Sequence, residues 1–150
     1  MPGYKSHATG ALILGVGSLA AVNWLGWYIP EPGSAVLLMG FVVLGSLFPD
    51  VDTDSVGQKL FYSLLAVINL TLMVLGHYKW AAVLGFCALL PVAARHRGFI
   101  HTWWAMFAVP LAIFIIPLIF YDVPWKTLFP FYLASVFGYF THLLLDRKFA

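Results

Sequence analysis

Four short polar clusters interrupt an otherwise apolar chain: His7 with Thr9, Pro49-Asp50-Val51-Asp52, Arg95-His96-Arg97-Gly98-Phe99-Ile100-His101, and His142-Leu143-Leu144-Leu145-Asp146. They hold four of the five histidines and, with the neighbouring Asp54, four of the six acidic residues. Imidazoles mixed with carboxylates suit Zn²⁺, Mn²⁺ or Fe²⁺ better than Ca²⁺ or Mg²⁺, which prefer all-oxygen shells. His142 and Asp146 are four apart, so on a helix they share a face and can grip one ion or one another. Asp50 and Asp52 follow a proline, and an extended turn there would aim both into one pocket. His96 and His101 flank Gly98, where the backbone can turn sharply, and Arg97 offers a planar fork of donors for phosphate or carboxylate. Among histidines a carboxylate can ligate, orient a ring through its second N–H, or act as a base toward metal-bound water. Each cluster also has a plainer role. His142 and Asp146 would serve as a polar pair at a helix end, Thr53, Asp54 or Ser55 would cap the next helix, and Arg95 and Arg97 would be topology-setting charge.

Convergence depends on what positions the clusters. Apolar runs cover 8–29, 34–49, 59–77, 79–94, 99–121 and 125–145, separated by short breaks such as Pro30-Glu31-Pro32-Gly33, whose prolines and glycine cannot continue a helix. Further breaks fall at Pro49 to Ser55, His77-Tyr78-Lys79, Arg95 to Gly98 and Asp122-Val123-Pro124. With 62% hydrophobic and 9% charged residues and a mean hydropathy of +0.91, the chain has too few charges to cover a soluble surface. A spanning helix needs about 20 apolar residues, so the 150 residues predict one all-α domain, a polytopic membrane bundle of about six transmembrane helices. The second and fourth runs are short, about 22–24 Å at roughly 1.5 Å per residue, which predicts a polar site recessed below the headgroups. The apolar start resembles a signal peptide, but Asn23, Trp24, Trp27 and Tyr28 follow without a small-residue cleavage site, so the segment reads as the first membrane helix.

Reversing sides at each crossing puts all four clusters on the N-terminal side. That side also carries Lys5, Lys59, Arg95, Arg97, Arg147 and Lys148, against Lys79 and Lys126 on the other. The positive-inside rule then makes both termini cytoplasmic. Trp24, Trp27, Trp80 and Trp125 fall where an interfacial belt would lie on the far side, with Trp103 and Trp104 on the near one. Gly10, Gly15 and Gly17 in the first helix allow close helix approach.

The same reading excludes other classes. A net charge of +2 with scattered Lys and Arg gives no nucleic-acid footprint. The lone Cys87, inside an apolar run, is a packing residue with no disulfide partner. His77, beside Tyr78 and Lys79, is interfacial. No Gly-rich phosphate loop, His-Glu-x-x-His or Gly-x-Ser-x-Gly is present. Two further readings stay open: a metal-ion or proton transporter, and a non-catalytic membrane scaffold.

In order along nearly the whole chain, His7, Pro49-Asp50-Val51-Asp52, His96-Arg97-Gly98-Phe99-Ile100-His101-Thr102 and Gly138 with Thr141-His142-Leu143-Leu144-Leu145-Asp146 resemble the YdjM-like family of LexA-regulated inner-membrane proteins. The His-Arg-Gly-x-x-His and His-Leu-Leu-x-Asp elements are the specific ones. Thr53 stands where a histidine often follows the second aspartate, and Thr141 where serine is expected. The resemblance implies a membrane-bound, metal-dependent hydrolase of a bacterial or archaeal inner membrane. The expected metal ligands are His7, Asp50, Asp52, His101, His142 and Asp146, around one or two divalent ions, Zn²⁺ foremost with Mn²⁺ or Fe²⁺ as alternatives. His96 is expected in acid/base or supporting work and Arg97 on a substrate anion. Membrane lipids are the expected partners, and a lipid phosphoester the preferred substrate, with ester and amide bonds also open.

Overall fold

The computed structural model describes residues 4–52, 56–93 and 100–146. Among these residues the regular structure is entirely helical: α1 (Tyr4–Trp24), α2 (Pro32–Leu47), a 3₁₀ turn (Phe48–Asp52), α3 (Val56–Val74), α4 (Tyr78–Ala93), α5 (Ala105–Tyr121) and α6 (Trp125–Asp146). The helices fall on the six apolar runs, and their ends follow local chemistry. α1 stops at Trp24 rather than at 29 because Gly26 takes φ +70° and closes a Schellman motif, with Trp27 N–H on Val22 O and Gly26 N–H on Asn23 O. Gly76, at φ +77°, ends α3 with the same pair of bonds, His77 to Leu72 and Gly76 to Met73. α2 opens on Pro32, where the missing N–H costs nothing.

The chain also departs from the sequence expectation at Pro49 and at the start of the fifth helix. The break at Pro49 is not extended but continues α2 as a tighter 3₁₀ turn, because Pro49 removes only one α-helical donor and i→i+3 pairing can carry the chain on. The fifth helix begins at Ala105 instead of 99, since Ile100 to Trp104 form a turn pinned to α6.

The central pair is α2 and α6, which make the most extensive interhelical contact. They run parallel and in register: Phe41 packs on Phe131, Gly45 lies against the Ser135 backbone, Gly138 against the Val42 backbone, and Ser46 pairs with His142. A Cβ at Gly45 would collide with the Ser135 carbonyl, and one at Gly138 with the Val42 carbonyl. The two backbones therefore touch, the close approach that small residues allow in lipid. α1 runs antiparallel along both, with Gly10 facing Leu145 and Gly15 facing Val42 and Met39, whereas nothing approaches Gly17. α5 covers α6 around a core of Ile100, Ala105, Met106, Val136, Tyr139 and Leu143. α3 and α4 pair with each other, joined by Asn69 Nδ2 donating to Ala81 O at 2.8 Å, and both touch the 3₁₀ turn.

The outer surface is apolar. Ile13, Val36, Val67, Phe86, Ile119 and Leu133, one from each helix, are all exposed, the inverse of a soluble surface and the arrangement that hydrocarbon favours. Among the described residues, Pro32–Val51 and Trp125–Asp146 are the two segments long and apolar enough to cross a membrane by themselves, while Gln58–Val74 and Ala105–Tyr121 are apolar but shorter. Trp24, Trp27 and Trp125 are exposed at one end of the bundle, where Trp80 also stacks on Tyr121 with centroids 4.0 Å apart. Trp103 and Trp104 are exposed at the other.

Gly138→Ala should lower stability by about 1–3 kcal/mol through overpacking against backbone that cannot move aside, and Gly17→Ala, in open space, should be near neutral. Thermal unfolding of the detergent-solubilised protein compares them; equal midpoints would refute the backbone contact.

Candidate metal centre

At the end of the bundle opposite Gly26 and Gly76, three helix termini meet. His7 comes from the first turns of α1, Asp50 from the 3₁₀ turn after α2, and His142 and Asp146 from the last turns of α6. His7 and His142 are fully buried, at 1% and 0% exposure, while the side chains of Asp146 and Asp50 are 7% and 23% exposed. The helix register explains the gathering: His142 is one turn beyond Gly138, and Ser46 one turn beyond Val42, so the backbone contact delivers the ring to Ser46.

The Ser46 carbonyl lies 2.7 Å from His142 Nδ1. A carbonyl only accepts, so Nδ1 carries the proton and donates it. Ser46 is in the last turn of α2, where carbonyls lack full intrahelical partners. In the neutral ring Nε2 then presents its lone pair to the site, the second-sphere arrangement that orients metal-ligating histidines. Nε2 is 3.5 Å from Asp146 Oδ2 and 3.7 Å from Asp50 Oδ1. His7 Nε2 lies 3.2 Å from Asp146 Oδ1, and the His7 and His142 rings stack with centroids 4.1 Å apart. His101 joins from the turn before α5, its ring 5.9 Å from that of His142.

Four of the buried polar atoms, His7 Nδ1, His101 Nδ1, His142 Nε2 and Asp146 Oδ1, make no hydrogen bond among the described residues. A buried polar atom without a hydrogen bond costs about 1–3 kcal/mol, a cost that a cation at the His142 Nε2 lone pair would offset. The nitrogen to oxygen gap of 3.2 Å between His7 and Asp146 is at the long limit of an N–H···O bond, and those of 3.5 and 3.7 Å at His142 exceed it. They are near the roughly 3.3 Å that separates two donors set tetrahedrally about 2.0–2.1 Å from one ion. Donor atoms of His7, Asp50 and His142 lie within 4.8 Å of one another, as do those of His101, His142 and Asp146. The C-termini of α2 and α6 add partial negative charge. The residues present fit a divalent transition metal.

Five of the predicted residues are thus brought together: His7, Asp50, His101, His142 and Asp146. Asp52 is two residues beyond Asp50 on the 3₁₀ turn, and its side chain lies outside the described residues, as does that of Cys87. Thr53, Asp54, Ser55, Arg95, His96, Arg97 and Gly98 also lie outside them. His77 is exposed at the far end of α3, away from the site.

Two supporting residues gave no advance signal. Tyr139 is fully buried on α6, and its hydroxyl donates to the Ile100 carbonyl, fixing the residue before His101. Gln58 Nε2 donates to the Val51 carbonyl at 2.9 Å, bracing the turn that carries Asp50. Tyr139 sits inside an apolar run and Gln58 just before one, and each pairs with a carbonyl outside its own helix.

The family model described as YdjM inner membrane protein matches residues 1–147. The chain belongs to that family and is an inner membrane protein. No curated protein and no solved structure matches it.

Tyr139→Phe should keep the core volume and leave the buried Ile100 carbonyl without its donor, a loss of about 1–3 kcal/mol. Amide hydrogen exchange should quicken at residues 100–104 and stay unchanged in the middle of α2 and α6. Unchanged exchange at 100–104 would mean that Tyr139 does not hold this turn.

Proposed function

We propose that the protein is a metal-dependent hydrolase acting at the cytoplasmic face of the membrane, with a lipid or other phosphoester as its substrate. The observation that carries this reading is the His142 Nε2 lone pair, held by the Ser46 carbonyl and directed at two carboxylates without a hydrogen bond. A divalent ion there supplies Lewis-acid polarisation of the scissile group and a nucleophile available at neutral pH. The chain's own part is to hold His142 in one tautomer through Ser46 and to fix Asp50 through the Gln58 brace. It also excludes water from His7 and His142 by burial. Asp50, more exposed than His7, His142 and Asp146, marks the side from which substrate reaches the centre. Arg97 is assigned to the substrate anion and His96 to proton transfer.

The phosphoester preference comes from depth and neighbours. The cluster sits at the bundle end beside the exposed Trp103, Trp104 and Leu144, which suits a substrate presented at headgroup level. A translocation site would instead lie near the midplane between helix halves.

The topology that goes with this reading is six crossings with both termini cytoplasmic. The contact between His7 near the start of α1 and Asp146 at the end of α6 supports it, as does the lysine and arginine excess on that side. Cysteines at Glu31, Asp122 and Ala150, in a variant with Cys87 replaced, should label from outside at 31 and 122 and not at 150. Labelling of 31 and 122 on opposite sides would refute the six-crossing count, and external labelling of 150 alone the orientation.

For the site, Asp50→Ala and His142→Ala should lose metal and phosphodiesterase or phosphatase activity together, and His77→Ala should keep both. Arg97→Lys should keep the metal and lose turnover, because a point charge cannot replace the bidentate fork. Equal metal content in His77→Ala and His142→Ala would refute the site.

A further inference from the structure

Two packed clusters support the donor side chains from different helices. In one, Ile100, Ala105, Tyr139 and Leu143 join the turn that carries His101 to α6. In the other, Leu47, Val51, Phe61 and Leu65 join the turn that carries Asp50 to α3. Phe48 packs against both, and among the described residues it is the one side chain the two clusters share. We infer that Phe48 is a positioning residue of the candidate centre, whose ring sets the direction of Asp50 relative to His142 and His101. This placement of the donors is independent of how many ions they hold, and it rests on the metal reading above only for what the donors are used for.

The 3₁₀ turn supplies the means. At three residues per turn, side chains three apart stand one above the other, so Phe48 and Val51 share one edge of the turn and Asp50 leaves from another. Val51 is 2% exposed within the second cluster, and the Gln58 side chain holds its carbonyl at 2.9 Å. Two anchored side chains on one edge stop the turn from rotating about its axis. The rotation fixed in this way directs Asp50 toward α6, where its Oδ1 lies 3.7 Å from His142 Nε2.

The ring of Phe48 also reaches two neighbouring rings. It meets Phe61 of α3 edge to face, with centroids 5.7 Å apart and planes at 78°, and Tyr139 of α6 at 6.1 Å and 36°. Both separations fall in the range over which aromatic pairs attract. Tyr139 precedes His142 by less than one turn of α6, and its hydroxyl donates to the Ile100 carbonyl beside His101. One ring therefore touches the helix that carries His142 and the residue that fixes the turn of His101, while belonging to the turn of Asp50. An aliphatic side chain at 48 would be apolar enough for either cluster, but it offers no edge and face to two rings at once.

Phe48→Leu keeps an apolar side chain at the turn, and Leu65→Ala removes apolar volume from the second cluster at a side chain that does not reach the first. The full chain of each is purified in detergent and titrated with Co²⁺, whose visible ligand-field absorption reports donor number and geometry. Relative to wild type, Phe48→Leu should bind Co²⁺ about tenfold more weakly, the low end of what loss of a supporting partner costs a metal site, and with a changed absorption envelope. Leu65→Ala should lower the thermal midpoint and keep wild-type affinity and spectrum. Amide exchange measured without metal gives the second readout: in Phe48→Leu it should quicken several-fold at 50–52 and at 100–104 together, and in Leu65→Ala at neither. Unchanged Co²⁺ affinity and spectrum, or unchanged exchange at either turn, in Phe48→Leu would overturn the positioning role. Equal changes in Leu65→Ala would overturn it as well, by making Phe48 an ordinary core residue. Absence of Co²⁺ uptake by wild type would overturn the metal reading instead, and the exchange comparison alone then decides the role of Phe48.

Discussion

His142 can reach the Ser46 carbonyl because α2 and α6 touch backbone to backbone one turn earlier, at Gly138 against Val42 and Gly45 against Ser135. In lipid no hydrophobic drive pushes helices together, so association rests on packing and on hydrogen bonds between them. Both occur at this contact. The glycines set the separation, and the separation sets the histidine. Ser46, Ser135 and Thr141 keep the seam narrow while returning their hydroxyls to their own helices, at Val43, Phe131 and Gly138. None of these three hydroxyls competes for the ring.

Burial then raises the demands on the cluster. Imidazoles and carboxylates at a bundle end can be retained only if they pair, meet water or serve a ligand. His7 and His142 pair with Asp146 at 3.2 and 3.5 Å and His142 donates to Ser46, yet His7 Nδ1 and His142 Nε2 make no hydrogen bond among the described residues. The polar cost is concentrated at one locus, and the helices supporting it have almost no other buried polar side chains: Ser46, Ser135 and Thr141 are satisfied locally. An arrangement of this kind stores its unsatisfied groups where a cation can use them.

Much of this was legible in the residues themselves. Six apolar runs gave six helices because Pro30, Pro32 and Asp122-Val123-Pro124 break helices for local reasons, and the alternation of sides brought His7, Asp50, His101, His142 and Asp146 to one end. Properties of pairs were not legible. Gly10, Gly15 and Gly17 look alike in sequence, yet Gly17 faces nothing, and the tightest approaches belong to Gly45 and Gly138 on other helices. A glycine's role depends on what crosses it, which no single run contains. The same holds for Tyr139 and Gln58, whose partners lie 39 and 7 residues away. The start of α5 was misplaced because the turn at Ile100 to Trp104 is apolar and is fixed by Tyr139 rather than by its own breakers.

The donors also come from the two ends of the chain as well as its middle: His7 near one terminus, Asp50 and His101 between, His142 and Asp146 near the other. Helix formation alone assembles none of them except the i, i+4 pair on α6. The centre therefore exists only after α1, α2 and α6 have packed, and its ligand binds the folded bundle and not the separated helices. By linkage, anything held there stabilises the packed state in proportion to its saturation. The α1 contact gains most, since α1 meets α6 through less surface than α2 does and nothing meets the Cβ position of Gly17. On the proposed reading, His7 is then the residue through which occupancy of the site would be felt as attachment of the first helix, so the same side chain would serve both chemistry and assembly.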